Sequence, residues 1–469
     1  MATYPFTPYK NWVIDPIPNV SLREAERQLK LAHYNPFNVP ARKVVVDFMT
    51  DSGTGALSKK QLSRMVAGDE SYAGSVSGER LYERLEDFTG RQTIILTHQG
   101  RGAEKIIAET FLQKDDVVLS NTLFDTTRAN FEHRGAHCVD LPWHPASLWN
   151  TKINDIIRDP EDPFSGHLFK GDVALDQLAF ELARYGDRVK LVVLTLTNNS
   201  GGGQPASLKN IVAAARIVKE HSRALLMIDA CRIVENAYFI QRYELKGRVS
   251  IAGIVRKICA YADLISMSAK KDGLAHMGGC IATSSTAPWV GTMNALSILY
   301  EGLNIRGKGG YGGISGKDME IIAQGLCEVV DLRYLRHRAG QVRYLHERLT
   351  EIGIPLISPL GGHAVYVDAA AFLPHIPAKE FPGHALVVEL YRQGGVRSVE
   401  IGSLMFGKNA QRELVRLAIP RRVYEQSHFD YVVEALAKIN ERKERLRGFQ
   451  ITEGAGDPMP HFFCKLKPL

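Results

Sequence analysis

Short apolar runs alternate along the middle of the chain with segments whose apolar residues recur at helical spacing. Gln92–Thr97, Asp116–Ser120, Val189–Leu196, Ala224–Ile228 and Ala262–Met267 are rich in Val, Ile and Leu and end in polar residues, which predicts strands. Between them, Ser207–His221 carries Leu208, Ile211, Val212, Ala215 and Val218 at helical spacing. This alternation predicts an α/β domain whose mostly parallel central sheet is buried on both faces. Ligands in such folds bind beyond the carboxyl ends of the strands, so chemistry is expected there. Past residue 325 the pattern changes. A helical stretch with a break, Asp318–Ile352, leads into Gly361–Asp368 and further strand–helix alternation. The expected organisation is an N-terminal segment (1–55) contributing to the small domain, a large cofactor-binding domain (56–325) and a smaller C-terminal α/β domain (326–469).

Composition changes this picture little. Of the 469 residues, 45% are apolar and 23% charged, as in ordinary globular proteins, and the length predicts more than one domain. The net charge of +7 is mild over this length, and no basic run or basic–aromatic stripe stands out, so a nucleic-acid partner is not expected. The six cysteines are scattered without a CxxC pair, which argues against a zinc site or a disulfide framework. Met1–Trp12 does not read as a signal peptide, and no stretch of membrane-spanning length is free of charge. These features favour a cytoplasmic protein without a membrane partner.

The strand ends carry polar clusters, each with a bland reading beside the chemical one. His98-Gln99-Gly100-Arg101-Gly102 suits an anion at a helix N-terminus, or is merely a tight strand–helix turn. Asp229 closes an apolar strand, as a helix cap also does. Lys270 and Lys271 at a strand end are equally the pattern of surface charge, and Asn198–Pro205 that of a flexible turn. In this order, however, they compose a pyridoxal-phosphate (PLP) site, which needs a phosphate cup, an aromatic ring face, an acid against the pyridine nitrogen and a lysine amine. Gln99, Gly100, Arg101 and Ser268 can supply the cup, Phe124 the aromatic face, Asp229 the acid and Lys271 the amine. The acid keeps the ring nitrogen protonated, and the lysine must give up its proton before its amine can react.

Longer motifs carry a family resemblance over nearly the whole chain. They include Asp51-Ser52-Gly53-Thr54, Gly68–Ser75, His98–Glu104, Phe124–Thr127, Gly202–Pro205, Val234–Ile240, Met267–Asp272, Gly361–Ala364 and Arg416–Arg421. With these the chain resembles the β-eliminating lyases, the family of tryptophanases and tyrosine phenol-lyases. The resemblance implies PLP-dependent transferase fold type I (aspartate aminotransferase-like). It implies Lys271 as the Schiff-base lysine and base at Cα, Lys270 near the phosphate, Asp229 on the pyridine nitrogen, and Arg232 and Asn199 beside the cofactor oxygen. It also implies Arg416 on the substrate carboxylate, Tyr72 as general acid, and Phe124, Asn199 and Phe462 at the substrate. Glu70, with carbonyls near Gly53 and His276, resembles the family's site for a monovalent cation, K+. Homotetramers with shared active sites are the family habit.

Within the family, Val396–Ser403 reads as in tryptophanases, with Ile401 where phenol-lyases carry an arginine. Asp125 after Phe124, and His461-Phe462, point the same way. The expected reaction is cleavage of L-tryptophan to indole, pyruvate and ammonia, with Asp125 and His461 assisting the indole ring. The alternatives are a related lyase acting on tyrosine or S-substituted cysteine, and a PLP-binding scaffold without turnover. The set of Lys271, Asp229, Arg416 and Tyr72 argues against the scaffold. The chain departs from its relatives in Val76–Tyr82, which lacks an Asn-Phe-Tyr run, and in a longer Glu301–Tyr311. The segment after Phe406 is shorter, and Phe463-Cys464 replaces a Thr-Ala pair.

Overall fold

A computed structural model describes residues 7–10, 13–142, 168–302, 313–407, 410, 412–456 and 459–469. Most of the longer 301–311 loop lies outside the described residues, as do most of Met1–Trp12. The chain forms two compact units, Met1–Asp51 with Arg336–Leu469, and Ser52–Leu335.

The larger unit is built on a seven-stranded sheet. Its strands are β1 (Thr93–Thr97), β2 (Val117–Ser120), β3 (His137–Asp140), β4 (Val189–Thr195), β5 (Leu225–Asp229), β6 (Leu264–Ser268) and β7 (Gly279–Thr283). They lie side by side as β1-β7-β6-β5-β4-β2-β3. Only β7 runs against its neighbours. The other six therefore point their carboxyl ends the same way. The apolar runs of the sequence are the central strands, and β2 and β6 are buried throughout.

Two strands escape the apolar pattern. β3 is short and lies at the sheet edge, with His137 exposed. β7 opens on a glycine, which weakens a strand signal. That glycine is required by close approach: a Cβ on Gly279 would lie 2.8 Å from the Gln99 carbonyl carbon and the Met267 oxygen. The Leu208–His221 helix starts where the pattern predicts, with the Ser207 hydroxyl accepting from the Asn210 amide at 3.0 Å. The long helical stretch is two helices, Gly316–Glu328 and Leu332–Glu351. No helix among the described residues is long and apolar enough to cross a membrane.

The smaller unit holds a three-stranded antiparallel sheet of β8 (Ala364–Asp368), β9 (Val399–Ile401) and β10 (Leu414–Ala418), ordered β9-β10-β8. Val399 pairs with Arg416 and Ile401 with Leu414, so strand alternation sets Ile401 and Arg416 on one face and Glu400 and Val415 on the other. The helix Pro382–Gly394 is buried almost throughout. The N-terminal segment joins this unit by main-chain pairing of Val46 with Val396, and by Asp51. The Asp51 carboxylate accepts from Arg421 at 2.8 Å and lies 3.8 Å from Arg338, all three side chains being at most 2% exposed.

Two buried asparagines fix the loop that follows β4. Asn121 Oδ1 accepts from the Thr195 amide at 2.9 Å, and its Nδ2 donates to the Gly171 carbonyl at 2.7 Å. Asn236 Oδ1 accepts from the amides of Thr197 (3.1 Å) and Ala206 (2.8 Å), and its Nδ2 donates to the Ala206 carbonyl at 2.8 Å. Removing such a side chain strands buried backbone groups, at a cost of about 1–3 kcal/mol for each group left unmet. Asn236→Ala, which strands three such groups, is therefore expected to lower stability by at least about 3 kcal/mol, read as a reduced urea midpoint at unchanged slope.

Candidate active site

The cofactor candidates come from the carboxyl ends of adjacent strands. β1 ends at Thr97 and runs through Gln99 into the helix Gly100–Phe111. Gln99 precedes the first turn, Gly100 is buried and Arg101 is exposed. A Cβ on Gly100 would lie 2.8 Å from Ser268 Cβ, so the start of this helix closes on the end of β6. From β6 the chain continues directly to the half-buried Lys270 and Lys271.

Next in the sheet is β5, ending at Asp229, which is 8% exposed. Its Oδ1 accepts from the Cys231 amide at 3.1 Å, and Cys231 Sγ accepts from the Ser268 amide at 3.3 Å. These bonds tie the ends of β5 and β6 together. Arg232 is buried in the same turn. β4 leads to the buried Asn199, in the loop held by Asn121 and Asn236. β2 leads to Phe124, which precedes the helix Asp125–His133. Asp125 opens that helix, its carboxylate accepting from the Thr126 amide at 2.7 Å.

The electrostatics of this rim suit an anion beside an acid. Burial holds Lys270 below the usual lysine range, and the charges of Lys271 and Arg101 lower it further. Three cations therefore converge near the amides that open the Gly100–Phe111 helix. A helix N-terminus and such cations are what a phosphate requires. Beneath them, Glu104 is buried and pushed up to about 7, first by burial and then by the Asp229 carboxylate, against hydrogen bonds from Thr127 and Thr126 and the charge of Lys271. Thr127 Oγ1 donates to Glu104 Oε1 at 3.0 Å and Asn130 Nδ2 to Oε2 at 3.2 Å. Glu104 was legible only as part of a motif. Its signal was a carboxylate on the apolar face of a helix. The donor set, with the close approach of Gly100 to Ser268, fits PLP. Lys271 would hold its aldehyde carbon, Asp229 its ring nitrogen, and Lys270, Arg101 and the helix start its phosphate.

The remaining candidates fall into separate groups. In the smaller unit, Arg416 (8% exposed) and Ile401 (4%) share a sheet face, and Arg416 donates to the Met49 carbonyl at 2.8 Å. His461 and Phe462 are in ring contact at 4.0 Å, and Phe37 meets Phe462 at 4.8 Å. In the larger unit, Tyr72 is 68% exposed. A Cβ on Gly53 would lie 3.0 Å from the His276 carbonyl oxygen, so those two backbones adjoin. The described bonds of Glu70 are with neither of them. Its carboxylate accepts from the amides of Gly316 (3.1 Å) and Lys317 (3.4 Å).

Comparison with known proteins places the chain in a family. The family model described as "Beta-eliminating lyase" matches residues 47–435. The chain is 45% identical to a tryptophanase of Salinibacter ruber, covering 98% of this chain and 95% of that protein. It is 43% identical to a tryptophanase of Rhodobacter capsulatus (98% and 99% covered) and 38% identical to a tyrosine phenol-lyase of Nostoc punctiforme (95% and 93%). Among solved structures, a serine palmitoyltransferase of S. paucimobilis with bound PLP shares the fold, with a TM-score of 0.57 at 13% identity over 86% of this chain and 88% of that one. The architecture is thus PLP-dependent fold type I. With a family model spanning most of its length and relatives above two-fifths identity end to end, the chain belongs to the β-eliminating lyases and is a PLP-dependent enzyme.

Proposed function

We propose that this enzyme cleaves L-tryptophan to indole, pyruvate and ammonia. The observation that carries the reading is the apolar Ile401 on the sheet face it shares with Arg416, at the position where phenol-lyases carry an arginine. Relatives named tryptophanase at 42–45% identity support it.

Arg416 offers a two-pronged guanidinium to the substrate carboxylate, which orients the α-carbon. Bound PLP supplies the electron sink that makes a carbanion at that carbon accessible. Lys271 Nζ takes the α-proton, and Asp229 would hold the proton of the ring nitrogen when PLP is bound. Phe124 would pack on the ring face, while Asn199 and Arg232 would hold the cofactor oxygen. Tyr72 or Lys271 delivers a proton to indole C3, so that indole leaves as a neutral molecule. Asp125 accepts the indole N–H, and His461 and Phe462 flank the ring. The enamine left behind hydrolyses to pyruvate and ammonia. A positioned acid or base contributes about 10²–10⁴-fold to such a step. We further propose a homotetramer in the cytoplasm, with K+ held by oxygens of Gly53, His276 and Glu70.

Borohydride reduction of the holoenzyme should fix the cofactor to Lys271, read by peptide mapping, and Lys271→Ala should lower kcat by at least about 10²-fold. A tag on another lysine would refute the assignment. Activity in K+ should exceed that in Na+, because a site of fixed oxygens discriminates by cation size; equal rates in both would remove the cation site.

Specificity provides a separate check. An indole N–H meets an acceptor at Asp125, whereas a phenolate oxygen would meet repulsion there and no partner at Ile401. An unmatched buried polar group discriminates more strongly than a change of apolar size, which is worth about 1–3 kcal/mol. Tryptophan should therefore exceed tyrosine in kcat/KM by at least about 100-fold. Phenol released from tyrosine more efficiently than indole from tryptophan would overturn the tryptophan reading and leave the lyase.

A further inference from the structure

Behind the face that carries Ile401 and Arg416, the sheet buries two carboxyls. Leu414 pairs with Ile401, so Glu413 lies opposite Gly402, and Glu400, two residues earlier, projects from that same face. Glu400 is 4% exposed and Glu413 6%. The two oxygens of Glu400 accept from the amides of Leu404 and Met405, each at 3.1 Å. Glu413 Oε1 accepts from the Ser403 amide at 2.9 Å and from the Ser403 hydroxyl. Successive amides of the Ser403–Phe406 turn thus end on two carboxyls. A Cβ on Gly402 would lie 2.5 Å from Glu400 Oε1 and 2.5 Å from Glu413 Oε2. The φ of Gly402, −167°, is ordinary extended backbone, so glycine is needed here for the volume that the carboxyls fill. Among the described residues, neither carboxyl is bonded to a lysine or arginine.

We propose that Glu400 and Glu413 hold a single proton between them and act as positioning residues for Ile401 and Arg416. The proposal rests on the reading that those two residues meet the substrate. With one proton, the pair keeps its hydrogen bonds without mutual repulsion. With none, two negative charges occupy one buried space, and relief requires a carboxyl to leave with the amides it holds. β9 runs from Ile401 through Gly402 straight into that turn, so movement of the turn moves Ile401.

Burial pushes both groups up, Glu413 to about 7, and the charge of Glu413 drives Glu400 further up. A carboxyl raised above its unfolded value stabilises the folded arrangement fully at low pH, and that contribution is lost as pH rises to the folded value, about 7 for Glu413, with Glu400 the last to ionise. Two neighbouring titratable groups supply no charge of their own. His384, from the Pro382–Gly394 helix, lines a small pocket with Glu400 and is pulled down to about 4 by burial, so it stays neutral. Cys464 is pushed up to about 11 by burial and also feels Glu400, so it stays a thiol. His461 lines the same pocket. Arg412, next to Glu413 in sequence, feels the charge of Asp368.

The test is hydrogen–deuterium exchange of the 400–407 peptide in the holoenzyme, corrected for intrinsic exchange, from about pH 6 to about pH 9, in wild type and Glu413→Gln. Protection in wild type should fall by about tenfold per pH unit as pH rises from about 7 toward the second ionisation and level off beyond it, and Glu413→Gln should change far less, because it removes the charge that drives Glu400 up and its amide can donate to Glu400. Over the same range, KM for tryptophan should rise in wild type with a smaller change in kcat, and stay level in the variant. Equal pH dependence of protection in both proteins would overturn the shared proton. A KM profile that the variant leaves unaltered would overturn the positioning role. If Glu413→Gln does not fold, Glu400→Gln makes the same replacement. If wild type forms no indole, the tryptophan reading fails while the exchange measurement still decides the proton.

Discussion

Strands buried on both faces can carry polar groups only where they end. In β5 the residues Leu225–Ile228 are apolar, and Asp229 is the first position at which a carboxylate meets polar surroundings. The same constraint puts Ser268, Lys270 and Lys271 after β6, Asn199 after β4 and Phe124 after β2. Since every strand but β7 runs the same way, all these ends lie along one edge of the sheet. The reversal of β7 matters for a related reason. It leaves β1 parallel to β6 across it, so the glycine-rich start of the Gly100–Phe111 helix arrives at the same edge as the lysines. Topology thus assembles the rim before any single side chain is chosen.

The rim sets opposed charges side by side at a partly buried edge. Burial first, and then the charges of Lys271 and Arg101, lower Lys270 where a phosphate would relieve it. Burial and then the charge of Asp229 make Glu104 hold its proton more tightly. Hydrogen bonds from Thr127 and Asn130 fix Glu104 against the helix that follows Phe124, so an electrostatic group also joins two elements of the rim. The asparagines at 121 and 236 do comparable work without charge, since each replaces backbone partners that the loop after β4 lacks.

The sequence made the central strands legible because their apolar runs are uninterrupted. It hid β3, which lies at the edge and is half polar, and β7, whose opening glycine answers a tertiary contact. Single site residues were ambiguous: a lysine pair at a strand end has the composition of a solvated surface, and only the ordered set of motifs separated the two readings. The shared placement of Glu400 and Glu413 beside Gly402 was not legible at all. The two residues meet through cross-strand register across an intervening turn, and neither periodicity nor spacing encodes that register. Glu70 shows the opposite limit. Its motif is readable, yet its described partners are the amides that open another helix.

The alternation along β9 separates two kinds of constraint onto neighbouring residues. Glu400 is held by the amides of Leu404 and Met405, and Gly402 is fixed by having no volume to give beside Glu400 and Glu413. Ile401, between them, projects from the opposite face and takes no part in either. A lineage can therefore exchange the side chain at 401 in single steps while the backbone that presents it stays fixed. The same exchange at 402 has no neutral route, because any side chain there must first displace two carboxyls. Divergence within such a fold is channelled to alternate positions of one short strand.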